Sequence, residues 1–386
     1  MQHSPFSIRH SAFVVVVLLA SCAYLQPPVP VVPQPHLVAL TAEECRTLLR
    51  DDAPVDSLLA AVARSHEYVG KFPLRRMHVF DRDVSAADVQ SALDAVADAA
   101  RGTDWPRRVC DQLRLYHVEL PDRLLVTGYY QPELAASRTR TERFRYPLYR
   151  TPDDLVDVDL RQFCPACAGQ VGKGRVQDGN LGPYYTRSEI DAGALAGRGD
   201  ELAWLDDPVE AFFLHVQGSA VLRFDDGVHM QVSYSSSNGR PYTSIGHVLI
   251  ERGAISRDDV SLQALKDYLH AHPDEQAALT AADERYIFFR AVVAGPIGSL
   301  GVPLTAGRSI AADPGVYPPG SFVFLRVAAR DGGAQHVMSR FALIQDSGVA
   351  ITGPGHVDVF CGTGSTAEAI AGDLRNPGEL YVVVPQ

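Results

Sequence analysis

Gln345 to Gly364 reads QDSGVAITGPGHVDVFCGTG, and the reading of the whole chain turns on this stretch. Two carboxylates, Asp346 and Asp358, lie twelve positions apart in it, each at the edge of a strand-like run and close to glycine. Glycine lets the backbone turn sharply and can leave a neighbouring side chain exposed. Aspartates of this kind often do no more than form turns, and on the motif alone that reading and a chemical one stand level. The chemical reading is proton transfer, because a carboxylic acid set against a glycosidic oxygen can protonate the leaving group. Two familiar signatures overlap the stretch and fail. Asp346-Ser347-Gly348 resembles the Asp-Ser/Thr-Gly turn of aspartic proteases, but those need two carboxylates sharing a proton, and the chain has no second such turn. Gly362 to Ala367 (GTGSTA) fits a loose dinucleotide fingerprint, yet the chain ends soon after the next strand without the acidic residue or the further βαβ units.

Outward from this stretch the texture is short apolar runs with turn punctuation. On its flanks lie Ser321 to Val327, Phe341 to Ile344, Val357 to Phe360 and Leu380 to Val384. Earlier come Leu124 to Tyr130 (LLVTGYY), Ala211 to Val216 (AFFLHV), Val221 to Phe224, Met230 to Tyr234 and Tyr286 to Val293, all read as strands. Asp225-Asp226-Gly227 between two of them predicts a hairpin turn. Helical spacing is confined mainly to residues before 120: Cys45-Leu48-Leu49, Leu58-Leu59-Val62 and Val89-Leu93-Val96. Ser261 to His270 adds one later helix. The predicted class is mostly β with some helices. The 386 residues leave room for two or three domains, and 31 Gly with 26 Pro favour turns over long helices. A net charge of -11 speaks against a general affinity for nucleic acid or an anionic lipid surface. The motifs of zinc helices, P-loops and GxSxG hydrolases are missing from the sequence, and no metal site is expected.

The N-terminus reads as an address. The apolar run Ala12 to Ala20 is too short to span a bilayer and has the length of a signal-peptide core. It runs into Leu19-Ala20-Ser21-Cys22, which resembles the lipobox of bacterial lipoproteins, with Cys22 as the acylated residue. Several acyl chains on one residue give stable anchoring where one would be marginal. Residues 1–21 are therefore expected to be a signal peptide, and 22–40 a lipidated cysteine with a Pro-rich tether. Ala23 stands where an Asp would signal inner-membrane retention, so the outer membrane, facing the periplasm, is the expected location. Of the five remaining cysteines, Cys164 and Cys167 have the spacing of a local disulfide; the pairing of Cys45, Cys110 and Cys361 is left open, and the odd total leaves at least one thiol unpaired.

Several separated segments together resemble the membrane-bound lytic murein transglycosylase A family. They are Val126 to Leu134 (VTGYYQPEL), Tyr146 to Tyr149, Pro183 to Ile190, Trp204 to Ser219, Asn238 to Gly246, Leu300 to Pro314, Gln345 to Gly364 and Leu380 to Pro385, in one consistent order over residues 120–386. The resemblance implies a double-psi β-barrel domain, residues 41–130 plus 291–386, interrupted by an inserted β domain at 131–290, with a substrate groove between them. It implies that Asp358 is the catalytic acid and then base, with Asp346 in support. It further implies cleavage of the β-1,4 bond between MurNAc and GlcNAc in peptidoglycan, closing a 1,6-anhydro ring on MurNAc.

That reaction uses the sugar's own C6 hydroxyl as nucleophile, so no metal or organic cofactor is expected. A free Asp titrates near 3.9, so Asp358 needs a drier or more acidic setting to hold a proton at neutral pH. Thr127, Tyr129, Gln217, Asn238 and Tyr242 fall in the matching segments and are the candidate sugar-binding residues, whereas Tyr130 and Phe213 read as core. Glycan strands are the expected partner, the membrane is reached through the lipid, and cell-wall synthases or scaffolds are the protein partners to look for. Cys361, Val349 and Ala220 depart from the family pattern. Two alternatives compete: an inverting glycoside hydrolase on the same barrel with Asp346 as base, and a non-catalytic wall-binding lipoprotein.

Overall fold

A computed structural model describes residues 35–71, 76–80, 82–160, 171–257, 259–331 and 334–385. Cys22, the tether up to residue 34, and the Cys164/Cys167 pair lie outside the described residues.

Six strands close on themselves. Around the ring the order is Arg375–Pro385, Phe322–Asp331, Ala334–Asp346, Ser309–Ala311, His356–Thr363 and Leu124–Gln131, which pairs back to Arg375–Pro385. Two of these pairings are parallel, Ser309–Ala311 with Ala334–Asp346 and His356–Thr363 with Leu124–Gln131. Closure removes the unpaired edges that an open sheet would expose. The interior is filled by Val126, Ile310, Val323, Leu325, Ile344, Val357, Val359, Leu380 and Val382. Strand alternation decides what is left for the outside. With Val357 and Val359 pointing into the barrel, Asp358 between them points out.

The helical reading of the N-terminal third holds in Ala42–Leu48, Val55–Gly70 and Ala86–Ala100. Thr41 with Glu44 and Ser85 with Asp88 form reciprocal capping boxes at two of the starts, satisfying backbone donors that the first turn leaves free. These helices, joined by Trp105–Gln112, bury Leu58, Val62, Leu93 and Val96 against Phe322, Phe324 and Phe341 of the barrel. A disulfide links Cys45 to Cys110 across 65 residues, a pairing the spacing could not reveal, and Cys361 is a free thiol. Crosslinking a loop of that length restricts the unfolded chain. Replacing both cysteines by Ser is expected to reduce unfolding free energy by about 2–4 kcal/mol, read from urea denaturation with and without reductant. Equal midpoints for the two proteins would contradict it.

A second six-stranded sheet is built only from residues between 133 and 292. Its order is Ile287–Val292, His229–Ser237, Ser219–Phe224, Glu133–Ser137, Glu201–Leu205 and Tyr146–Tyr149. A single parallel bridge from Arg150 to Phe289 brings its two ends together around a core of its own, which includes Leu134, Leu148, Leu205, Leu222 and Phe289. The predicted turn at Asp225-Asp226-Gly227 is present, with Gly227 in the left-handed region at φ 78°.

One predicted strand is wrong. Ala211 to Val216 lies inside the helix Pro208–Gln217. Asp207 accepts from the amides of Val209 and Glu210 at 2.8 and 3.4 Å, Pro208 occupies the first turn, and Gly218 at φ 78° ends the helix. The run is apolar on nearly every side because it is packed on two: Phe212 and Phe213 against the Leu249 and Leu269 helices, Leu214 against the second sheet. Continuous apolarity cannot separate a buried helix from a buried strand. The GTGSTA segment is a strand-to-helix turn into Gly364–Asp373, and the described residues form no doubly wound parallel sheet around it.

Candidate active site

One register row crosses the outside of the barrel. Thr127 pairs with Asp358, Asp358 with Ala311, and Ala311 with Asp346. The two carboxylates thus sit on strands separated by a single strand whose own side chain there is only a methyl, so about 9.6 Å divides their backbones.

Asp346 reaches this face through an irregularity. The pairing passes from Ile310–Ile344 directly to Ala311–Asp346, skipping Gln345. Simple alternation would turn Asp346 to the same side as Ile344, which is inside the barrel. The extra residue reverses it. Gln345, opposite in direction to Ile344, faces the N-terminal helix layer and is fully buried there, donating to the carbonyl of Ala61 at 2.7 Å and to Ser65 Oγ at 3.0 Å, and accepting from Ser309 Oγ at 2.6 Å.

The two acids have opposite surroundings. Asp346 Oδ1 accepts backbone N–H bonds from Ser299 and Ser347 at 2.8 and 2.9 Å, and Oδ2 accepts the Tyr129 hydroxyl at 2.8 Å. Burial raises its pKa, and these donors, which favour the ionised form, pull against the rise. Asp358 has one such partner, the hydroxyl of Thr127 at 2.8 Å from Oδ1. Burial drives Asp358 up to about 7, Thr127 opposes this, and the charge of Asp346 adds to it. Burial thus raises both carboxyls, while the donors that favour the ionised form are concentrated on Asp346.

A groove of about 660 Å³ opens beside Asp346, lined among others by Tyr129, Gln217, Tyr234, Arg290 and Asp313; Asp358 and Thr127 are not among its lining residues. A buried ammonium links the segment inserted in the barrel to the barrel's last helix. Lys266, from helix Leu262–Ala271, lies 2.8 Å from Glu210 and 2.9 Å from Glu368 of helix Gly364–Asp373, and donates to the hydroxyl of Tyr130 at 3.2 Å. Tyr130 and Phe213 are buried, as read from sequence.

The candidate sugar ligands divide. Tyr129 and Gln217 line the groove, and Gln217 leaves a buried Oε1 without a partner there. Thr127 is engaged with Asp358. Asn238 does not fit the expectation: it is 1% exposed, both amide N–H groups go to the carbonyls of Tyr185 and Glu284, and its oxygen accepts from Arg240 and Tyr286. Every polar position of that side chain is used on the backbone, so it is a fastening after the strand His229–Ser237. Tyr242 is half-buried outside the groove lining, with its hydroxyl on Ser244.

Of the three family departures, Val349 is exposed on the groove wall, Ala220 is fully buried in the second sheet, and Cys361 is half-buried. Sequence reading missed His356, whose Nε2 lies 2.9 Å from Thr127 Oγ1. Alternation would have found it, since residues two apart in VDV and HVD share a face.

Comparison with known proteins agrees with this geometry. A family model described as the MltA specific insert domain matches residues 125–290, and one described as the 3D domain matches residues 308–384. A membrane-bound lytic murein transglycosylase A from Vibrio cholerae is 32% identical over 267 residues, which are 67% of this chain and 64% of that protein. The chain thus spans a little under two thirds of the length of the curated relatives it matches. The crystal structure of a membrane-bound lytic murein transglycosylase from Agrobacterium tumefaciens superposes with a TM-score of 0.78 at 30% identity, covering 90% of this chain and 97% of that one. A structure of Escherichia coli MltA with bound chitohexaose gives a TM-score of 0.64 at 25% identity and 92% coverage of each chain.

Proposed function

The chain belongs to the membrane-bound lytic murein transglycosylase A family, and from that premise we propose that it cleaves peptidoglycan glycan strands between MurNAc and GlcNAc, leaving a 1,6-anhydroMurNAc end. The observation that carries the proposal is the unequal surroundings of the two carboxyls: Asp346 accepts from Ser299, Ser347 and Tyr129, whereas Asp358 has only the Thr127 hydroxyl and burial raises its pKa to about 7.

In the reaction Asp358 gives its proton to the glycosidic oxygen, and positive charge develops at C1 of MurNAc. The Asp346 carboxylate stabilises that charge electrostatically. Asp358, now a carboxylate, takes the proton of the C6 hydroxyl as O6 closes on C1. The acid is regenerated and no water is consumed. A hydrolase would need a second carboxylate free to deprotonate water, and hydrogen bonds to the charged form make Asp346 a weaker base for that task. The bound chitohexaose of the Escherichia coli relative supports a glycan in the groove, where the ring of Tyr129 and the unpaired oxygen of Gln217 are the contacts we assign. Anchoring through Cys22 would hold the enzyme on the outer membrane, and the groove would lie between the barrel and the segment inserted at 131–290.

Mass spectrometry of muropeptides released by the soluble chain tests this. The expected product carries an anhydro end, one water lighter than a hydrolytic product. A reducing end would mean hydrolysis, and binding without release would mean a wall-binding protein.

A further inference from the structure

His356 and Asp358 stand two apart on one strand, so both side chains emerge on the same face, and Thr127 lies between them. His356 Nε2 is 2.9 Å from Thr127 Oγ1, and that oxygen is 2.8 Å from Asp358 Oδ1. A threonine hydroxyl has one proton and can donate only once. The His356 ring also bonds the carbonyl of Ala350. A carbonyl only accepts, so with Nε2 on Thr127 that contact falls to Nδ1–H. Burial, assisted by the charge of Arg375, holds the imidazole below its ordinary pKa and therefore neutral. Nε2 is then a bare acceptor facing Thr127.

The two protonation states of Asp358 are unequal in this arrangement. When the acid is protonated, its O–H can donate to Thr127 while Thr127 donates to His356, and both contacts are made. When it is ionised, Thr127 turns its proton to the carboxylate and Nε2 loses its donor. One hydrogen bond separates the states, in favour of the acid.

We propose that His356 is a positioning residue which, by accepting the hydroxyl proton of Thr127, keeps Asp358 loaded for the glycosidic step. The Thr127 hydroxyl then acts as a rotor. It points to His356 while Asp358 is an acid and swings to Asp358 once the proton has left, so that each form of the acid–base residue finds a partner. The inference rests on the proposed role of Asp358 and adds how its proton is retained. The charged or titratable neighbours are Arg375, across from Thr127 on the adjacent strand, and Asp346, Tyr129 and Cys361 around Asp358.

The test is the pH profile of anhydro-product release. Wild-type activity is expected to fall as pH rises through about 7, where Asp358 loses its proton. In His356→Phe the acceptor is gone and the alkaline limb should move down by about half to one pH unit, the equivalent of one hydrogen bond. His356→Gln returns an oxygen acceptor in nearly the same place and should move the limb back toward the wild-type position. An unmoved limb in folded His356→Phe overturns the inference, as does an equal shift in both variants, which would indicate packing alone. Asp358→Asn, run in parallel, separates the two claims. Full product release by that variant would remove the underlying reading, whereas its loss with an unmoved limb in His356→Phe would remove only this one.

Discussion

Asp358→Asn should lower the turnover of peptidoglycan by about 10⁴-fold, the upper end of what a single proton-transfer residue contributes, because one side chain serves both the acid and the base step. The amide can neither give nor take the proton, yet it keeps the size of the carboxyl and an oxygen for Thr127. Sedimentation with insoluble peptidoglycan should therefore remain at the wild-type level. The fold should gain rather than lose. Asp358 titrates higher in the folded chain than in the unfolded one, so the native state holds the extra proton between about pH 4 and 7. Stability from this group is complete below the unfolded pKa and is lost as pH rises through the folded value. At pH 8 the wild type buries a poorly compensated charge that Asn lacks, and the variant should melt at a higher temperature. A variant that melts lower, or one that still solubilises the wall at an appreciable rate, would be incompatible with Asp358 as a buried acid.

Arg308→Leu should cost about 3–5 kcal/mol of unfolding free energy, the usual consequence of removing one partner from a buried ion pair. Arg308 is fully buried and immediately precedes the short strand Ser309–Ala311 that separates the two aspartates. Its guanidinium holds Asp51 with two bonds of 2.6 and 2.8 Å, Ser57 at 2.9 Å, and the carbonyls of Phe341, Ala53 and Pro54 at 2.8 to 3.1 Å. All five N–H donors are used. Leucine would leave Asp51, 1% exposed, with backbone amides but no cation. Arg308→Lys should be nearly as harmful, because an ammonium cannot span both carboxylate oxygens and the three carbonyls. Arg308→Leu combined with Asp51→Leu should recover part of the loss, since no unpaired charge remains. Urea midpoints for the four proteins decide the matter. A single-variant loss under about 1 kcal/mol would place the pair among ordinary surface bridges.

Much of the architecture was legible because it rests on local regularities. Val357 and Val359 alternate with Asp358, and that pattern alone turns the carboxyl away from the core. Thr41 with Glu44 and Ser85 with Asp88 mark helix starts within four residues. Ala211 to Val216 was misread because burial on two sides erased the periodicity that separates helix from strand, and only Asp207, Pro208 and Gly218 at its ends carried the signal. Asn238, whose side chain is fully engaged with the backbone, was ambiguous for a related reason. An amide in a motif serves a ligand or the backbone equally well until its partners are known.

What the sequence determined by itself is the inventory: a signal and lipobox pattern at Cys22, a mostly β chain, two aspartates twelve positions apart, and the family to which their order belongs. Motif reading alone leaves the two aspartates level and the family resemblance points to Asp358, but the sequence cannot say why that carboxyl would hold a proton. That depends on a skipped residue at Gln345, which turns Asp346 outward to meet two backbone amides and Tyr129. It depends equally on the pairing of the Asp358 strand with that of Thr127, its hydrogen-bond partner. A pKa is set by desolvation and by the donors and charges within a few ångströms. Those neighbours come from residues 127, 129, 299 and 347, which only the closure of the barrel brings together.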